Sequence, residues 1–268
     1  MKRILPLFLL LSAPVFGQQF KIGAYVPIDI PNKSVMPKMS VNGGAGLQIA
    51  YRPIAGLPAF LELKGSVGNY SNRTLQQTYN FGGGSQTTTD VTYKSAMNKV
   101  LFGTKFFLGN DYQAVRPFIT PQVGTVFLKS NIVIADPTDV DDCKPLERRT
   151  TQRDAGFVYG GEFGAEIALD RLFKGMSSEN RHHLVISASF LNGFQPFEYV
   201  NVRYMQDENH NALPADGGPA GHTDAEGRDI NATFINVSSN ALHEHKIAEL
   251  YRTSLQFWGL NIGYTFTF

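Results

Sequence analysis

The sequence predicts an all-β protein: a closed antiparallel β-barrel of eight strands that crosses a lipid bilayer. Three observations predict it. The first is the last eleven residues, which alternate strictly. Trp258, Leu260, Ile262, Tyr264, Phe266 and Phe268 form one set, and Gly259, Asn261, Gly263, Thr265 and Thr267 the other. A period of two puts these sets on opposite faces of a strand. In water such a strand would be an exposed, aggregation-prone edge. In a closed barrel in lipid the large side chains meet hydrocarbon, the small ones face a crowded lumen, and no edge remains. The second is that no stretch approaches 18 uninterrupted apolar residues, so spanning helices are not expected. A hydropathy scan would read the chain as soluble, but it misses strands that are apolar on one face only. The third is that alternating segments recur along the chain between turn and loop signals. The 26 Gly, 20 Phe and 11 Tyr suit a tight lumen and aromatic girdles.

The first strand is expected over residues 20–28, with Phe20, Ile22, Ala24, Val26 and Ile28 outward and Lys21, Gly23 and Tyr25 inward. Pro27 and Pro31 weaken its far end. The second covers 41–52, with Leu47, Ile49 and Tyr51 outward and Gly46, Gln48 and Arg52 inward; residues 53–58 form a short turn. The third covers 59–70, setting Leu61, Leu63 and Val67 against Phe60, Glu62, Lys64, Ser66 and Tyr70. Residues 71–90 are polar, with Gly82, Gly83 and Gly84 and a threonine run, and read as a mobile loop. The fourth strand spans 91–108, with Val100, Phe102 and Phe106 outward and Lys99, Gly103 and Lys105 inward. The fifth runs from 116 to 134, and Pro121 predicts a bulge or local break in it because proline cannot donate to the ladder. Residues 135–153 read as a charged loop. The sixth strand, 157–169, carries Phe157, Tyr159 and Phe163 outward against Glu162 and Glu166. Residues 170–182 form a connection with room for a helical turn. The seventh strand starts at His183 and places Ser187 and Ser189 inward. Residues 205–246 form the largest loop, within which 230–237 favours a hairpin above the membrane, and the last eleven residues close the barrel. A ten-stranded barrel using 230–237 is the alternative count. Short turns at the terminus end and long polar loops at the other are the expected asymmetry.

Residues 1–17 read as a secretory signal peptide rather than as fold: Lys2 and Arg3 precede an apolar run, and Gly17 marks the cleavage point before Gln18. That leaves 18–268 as one barrel domain. Without Lys2 and Arg3, two of the 24 basic residues, the domain holds 22 basic against 23 acidic residues, a formal charge of −1. Nothing in this balance points to nucleic acid. Cys143 is the one cysteine, so no internal disulfide is possible, and it reads as a loop thiol.

The C-terminal Asn261, Gly263, Phe266 and Phe268 resemble the β-signal that bacterial outer-membrane barrels present to their insertion machinery. With the leader and the strand pattern, the domain resembles the small outer-membrane β-barrels of OmpA, OmpX and OmpW type, and most of all members from Bacteroidota-type bacteria. The resemblance implies an outer-membrane location with both termini in the periplasm, and outer-membrane lipid and the barrel-insertion machinery as partners. It leaves function open, because the family is functionally mixed.

The inward set contains Lys21, Arg52, Lys64, Lys99 and Lys105 against Glu62, Glu162 and Glu166. An eight-stranded barrel is just wide enough for side chains to fill it. The expected lumen is therefore a salt-bridged plug, and the competing reading is a narrow polar conduit. His243 and His245 present alternate imidazoles but have no identifiable third ligand. The acidic clusters at 207–211 and 224–229 lack calcium-loop spacing. No metal and no cofactor are expected. Three functions follow: a non-enzymatic barrel presenting loops 135–153 and 205–246 to a protein partner, a narrow pore, or a lipid-modifying enzyme with a hydroxyl nucleophile near His183 or His243.

Overall fold

The computed structural model describes residues 19–36, 39–54, 56–80, 86–110, 113–136, 145–172, 181–201, 222–223, 229–230, 232–239 and 242–268. The strands are β1 Gln19–Pro31, β2 Asn42–Arg52, β3 Ala59–Asn80, β4 Gln86–Phe107, β5 Val115–Ile134, β6 Glu147–Ala168, β7 His182–Asn201, β8 His222–Thr223, β9 Asp229–Ile230, β10 Ala232–Ser239 and β11 Leu242–Thr267, with a four-residue helix, α1 Leu169–Leu172, between β6 and β7. Strands β1 to β7 pair in sequence order, β7 pairs with β11, and β11 pairs back onto β1 from Lys21↔Thr267 to Pro31↔Phe257. The result is a closed, all-antiparallel barrel of eight strands, as expected.

The predicted faces hold across the ladder. Along β1 every odd residue from Lys21 to Pro31 is buried and every even residue from Phe20 to Ile30 is exposed. Along β11, Trp258, Leu260, Ile262, Tyr264 and Phe268 are exposed while Gly259, Asn261, Gly263, Thr265 and Thr267 are buried. Tyr25 explains two of the inward glycines. Its ring occupies the space a Cβ at Gly46 would take, 2.4 Å from Cζ, and a Cβ at Gly263 would sit 2.8 Å from its own Cβ. In the turn after β2, Gly56 adopts φ 78°, a conformation in which glycine alone is unstrained.

The prolines behave as ladder interruptions rather than strand ends. Pro27 pairs with Asn261 of β11 while the pairing with β2 lapses between Tyr25 and Ile28. At Pro121 the β4 ladder lapses between Gly103 and Phe106 and resumes in the same register, so there is a local break and no bulge. β1 continues to Pro31, three residues beyond its expected end.

Four expectations are corrected. Residues 71–90, read as a mobile loop, are largely strand: β3 and β4 stay paired up to Asn80↔Gln86, although Gly82, Gly83 and Gly84 lie outside the described residues. β6 begins at Glu147, inside the segment 135–153 read as loop. β11 begins at Leu242, inside the segment 205–246 read as loop, and is 26 residues long. Its first part pairs with β10, which among the described residues joins no other strand, so 232–239 contributes a hairpin outside the ring and the ten-stranded alternative is excluded. Residues 1–18, Cys143 and the cluster 207–211 lie outside the described residues.

Candidate functional site

The polarity of the wall reverses along the strands. Near the chain termini the inside is polar and the outside apolar: Lys99, Lys105, Thr120, Gln122, Ser187 and Thr265 are buried inward, while Val100, Phe102, Val123, Ile186 and Ile262 are exposed outward. Toward the far end the pattern inverts. Val91, Tyr93, Ile132, Ile134, Phe197, Tyr199 and Tyr251 are buried inward, and Asp90, Lys94, Pro196, Arg252 and Ser254 are exposed outward. The inverted part follows the ordinary rule for a protein in water. The other part obeys the opposite rule, which is stable only where the outside is hydrocarbon.

The changeover on β11 falls between Ser254 and Trp258. From there to Phe268, ten residue steps span roughly 33 Å along the strand, and a tilt near 40° reduces that to the ~25 Å of an apolar barrel band. Aromatic side chains gather at both rims. Phe190 meets Trp258 at 4.8 Å and Tyr159 meets Phe194 at 4.5 Å, both with tilted rings, at the far rim. At the near rim Phe20 meets Tyr51 at 4.7 Å, and His182 Nδ1 hydrogen-bonds the Tyr264 hydroxyl.

Within the band the lumen is filled by ions in three tiers. Nearest the termini, Lys21 Nζ lies 2.6 Å from Glu166 Oε1, and Thr265 Oγ1 donates to the same oxygen at 3.3 Å. Mid-barrel, Lys105 and Lys64 approach Glu62 at 2.7 and 3.6 Å. Lys64 also pairs with Glu162 at 2.5 Å, and Ser187 Oγ donates to Glu162 Oε1 at 2.5 Å. In the upper tier Lys99 pairs with Asp29 at 2.5 Å, and Asn42 Nδ2 donates to the second Asp29 oxygen at 2.8 Å. The cations also face rings: Lys105 lies 4.5 Å from the Phe118 centroid, Arg52 5.1 Å from Phe60 and Arg116 3.8 Å from Phe107. Pairing and ring contacts of this kind are what make buried charge tolerable.

Apolar clusters lie toward each end of the column. Ala50, Phe60, Phe107, Phe118 and Val185 pack at the terminus end, with Phe60 and Phe118 each edge-on to Phe107. A larger cluster at the far end includes Met97, Leu101, Leu128, Phe197, Tyr251 and Phe257. The connection after β1 folds into it. Met36 and Met39 are fully buried there, held by Asn32 N donating to Gln256 O at 2.9 Å and Gln256 N donating to Met36 Sδ at 3.3 Å.

All eight residues anticipated for the lumen, Lys21, Arg52, Glu62, Lys64, Lys99, Lys105, Glu162 and Glu166, lie buried inside the barrel. Sequence reasoning missed Asp29 and Arg116, and it did not place His183 in the lumen. Asp29 has the same parity as Lys21 and Tyr25, and carrying the alternation past Pro27 would have found it. Of the C-terminal residues, Asn261 Nδ2 donates to Ser187 Oγ at 3.4 Å, Gly263 packs under Tyr25, and the rings of Phe266 and Phe268 meet edge-on on the outer wall. Ser187 and His183 both point inward but lie four residues apart on β7, about 13 Å. That separation rules out direct proton transfer between them. Among the described residues no cluster of three or more His, Cys, Asp or Glu could hold a metal.

A closed wall that is apolar outside, charged inside and inverted beyond one rim defines a bilayer-spanning β-barrel with a filled lumen. No protein-family model and no curated protein sequence matches the chain. Among solved structures it is similar to a major outer membrane protein from Thermus thermophilus, with 14% identity, a TM-score of 0.44, and coverage of 94% of this chain and 100% of that one. It is also similar to Ail, the attachment invasion locus protein of Yersinia pestis, at 11% identity and TM-score 0.38, covering 94% and 100%. The outer membrane protein OprG from Pseudomonas aeruginosa follows at 10% identity and TM-score 0.38, covering 94% and 96%.

Proposed function

We propose that the protein is a sealed, non-enzymatic barrel of the bacterial outer membrane that serves as a rigid platform for its far-end strands and loops. Both termini face the periplasm in this reading, Phe266 and Phe268 with Asn261 and Gly263 form the signal for the barrel-insertion machinery, and a protein partner binds at segments 135–153 and 205–246. The carrying observation is the lumen: buried ion pairs run along it, with apolar clusters toward both ends, which supports a plugged rather than a conducting barrel. Long segments on a rigid scaffold are where binding function sits.

Single-channel recording of the refolded protein in planar bilayers tests this. The expected result is silence from a protein that is folded by its heat-modifiable mobility. Discrete openings that disappear with Lys105→Met would replace the platform with a narrow pore.

A further inference from the structure

On the outer wall of β4 to β6 the rim of the apolar band carries a cation pair that the fold leaves uncompensated. Lys129 of β5 lies directly opposite Arg153 of β6 in the ladder. Directly opposed residues have Cβ atoms about 5 Å apart, and like charges in that position repel. Lys94, exposed on β4, pairs with Asn131 and so sits one diagonal step from Lys129. Among the described residues no carboxylate comes within ion-pair distance of Lys129 or Arg153. Two acids lie close by, and neither is within ion-pair distance of the two cations. Asp154 points inward and accepts from the Ala155 and Glu198 amides at 2.8 and 2.6 Å. Glu198 faces outward opposite Arg252.

The position is the polarity changeover itself. One rung toward the termini Phe127 is exposed on the lipid-facing side, opposite Ala155. Beside Lys129 across the β4 ladder is Ala96. A groove of about 510 Å³ lies on the wall here, lined by Phe127, Leu128, Lys129, Arg153, Asp154 and Ala155, with Asn98 from β4. Its lower rung sets Phe127 beside Asn98 and is continuous with the lipid-facing surface, and its upper rung carries the two cations. That is the profile of an amphiphile with an anionic head, and the cations match phosphate chemistry: Arg153 offers a planar fork for two phosphate oxygens and Lys129 a point charge.

We propose that this groove binds the phosphorylated headgroup of a membrane lipid, with Lys129 and Arg153 holding the phosphate and Phe127 lying along the first acyl carbons. The proposal rests on the membrane reading above. A soluble anion has no use for the Phe127 end of the groove, which argues for a lipid source of the phosphate.

The test is native mass spectrometry of the full chain, refolded in neutral detergent and titrated with lipid A as the phosphorylated probe and phosphatidylcholine as the zwitterionic one. Each cation near an anionic lipid surface contributes enough that losing two should weaken retention about thirtyfold. The expected result is stoichiometric lipid A on the wild type and about thirtyfold weaker retention by K129A/R153A. Arg73→Ala, a charge loss elsewhere on β3, should leave retention unchanged. K129Q/R153Q provides the same readout if the alanine pair does not fold. Equal retention by wild type and double variant, or an equal loss in R73A, overturns the proposal. So does displacement by inorganic pyrophosphate at matching concentration, which would make the groove a soluble-anion site. Flotation with phosphatidylcholine vesicles runs in parallel on wild type and variants. Failure of every protein to float overturns the membrane reading, whereas flotation with unselective lipid retention overturns the headgroup site alone.

Discussion

Glu162 shows how the lumen is held together. Its two oxygens are divided between Lys64 and Ser187, and it is almost fully buried. Removing one partner of such a pair leaves an ion without compensation in a low-dielectric interior. Glu162→Gln should therefore lower stability by about 3–5 kcal/mol, while Lys64→Met combined with Glu162→Leu should recover most of the loss. Urea unfolding in micelles, followed by tyrosine and tryptophan fluorescence, reads both. A single variant as stable as wild type would mean that water reaches Lys64 and that the column is less sealed than its burial indicates. At this scale the sequence was legible wherever parity was clear, and Lys64, Glu162 and Glu166 follow from alternation alone. Which lysine meets which carboxylate was not legible. Lys64 and Glu162 are 98 residues apart, and only ring closure brings them within 2.5 Å.

The hairpin of β3 and β4 stands on the other side of the changeover. Its outer part has Thr74 and Thr92 hydroxyls in contact at 2.9 Å, an exposed Lys94, and Val91 and Tyr93 inside. Beyond Leu75 and Val91 the ladders pair β3 and β4 only with each other, so those outer rungs are local. Replacing residues 76–90 with Asn-Gly, which closes the hairpin at Leu75↔Val91, should leave heat-modifiable mobility on gels intact. Loss of that mobility would show that the band depends on the projecting strands. This hairpin is also where sequence reading failed, and the reason is physical. A strand with water on its outer face and few apolar residues on its inner face lacks the alternation that lipid imposes, and its threonines and glycines resemble a loop. The same applies to the start of β6 and to the first half of β11.

For the whole molecule, the changeover fixes the depth at which the barrel sits. Trp258 is the only tryptophan and lies at the far rim of the apolar band, in contact with Phe190. In liposomes, brominated lipids labelled near the headgroup should quench its fluorescence more strongly than those labelled near the chain ends. Stronger quenching at the bilayer centre would move the band by half its height and detach the Lys129–Arg153 groove from the headgroup level. The sequence by itself determined the fold class, the faces of the bilayer-spanning parts of the strands and eight of the inward charges, because a bilayer imposes a period of two that survives in one dimension. The tertiary structure alone decided the ion partners, the closure of β11 on β1, the inward fold of the connection carrying Met36, and the facing of Lys129 and Arg153. Each of these depends on register between strands, and register is set by how the whole ring closes rather than by any one segment.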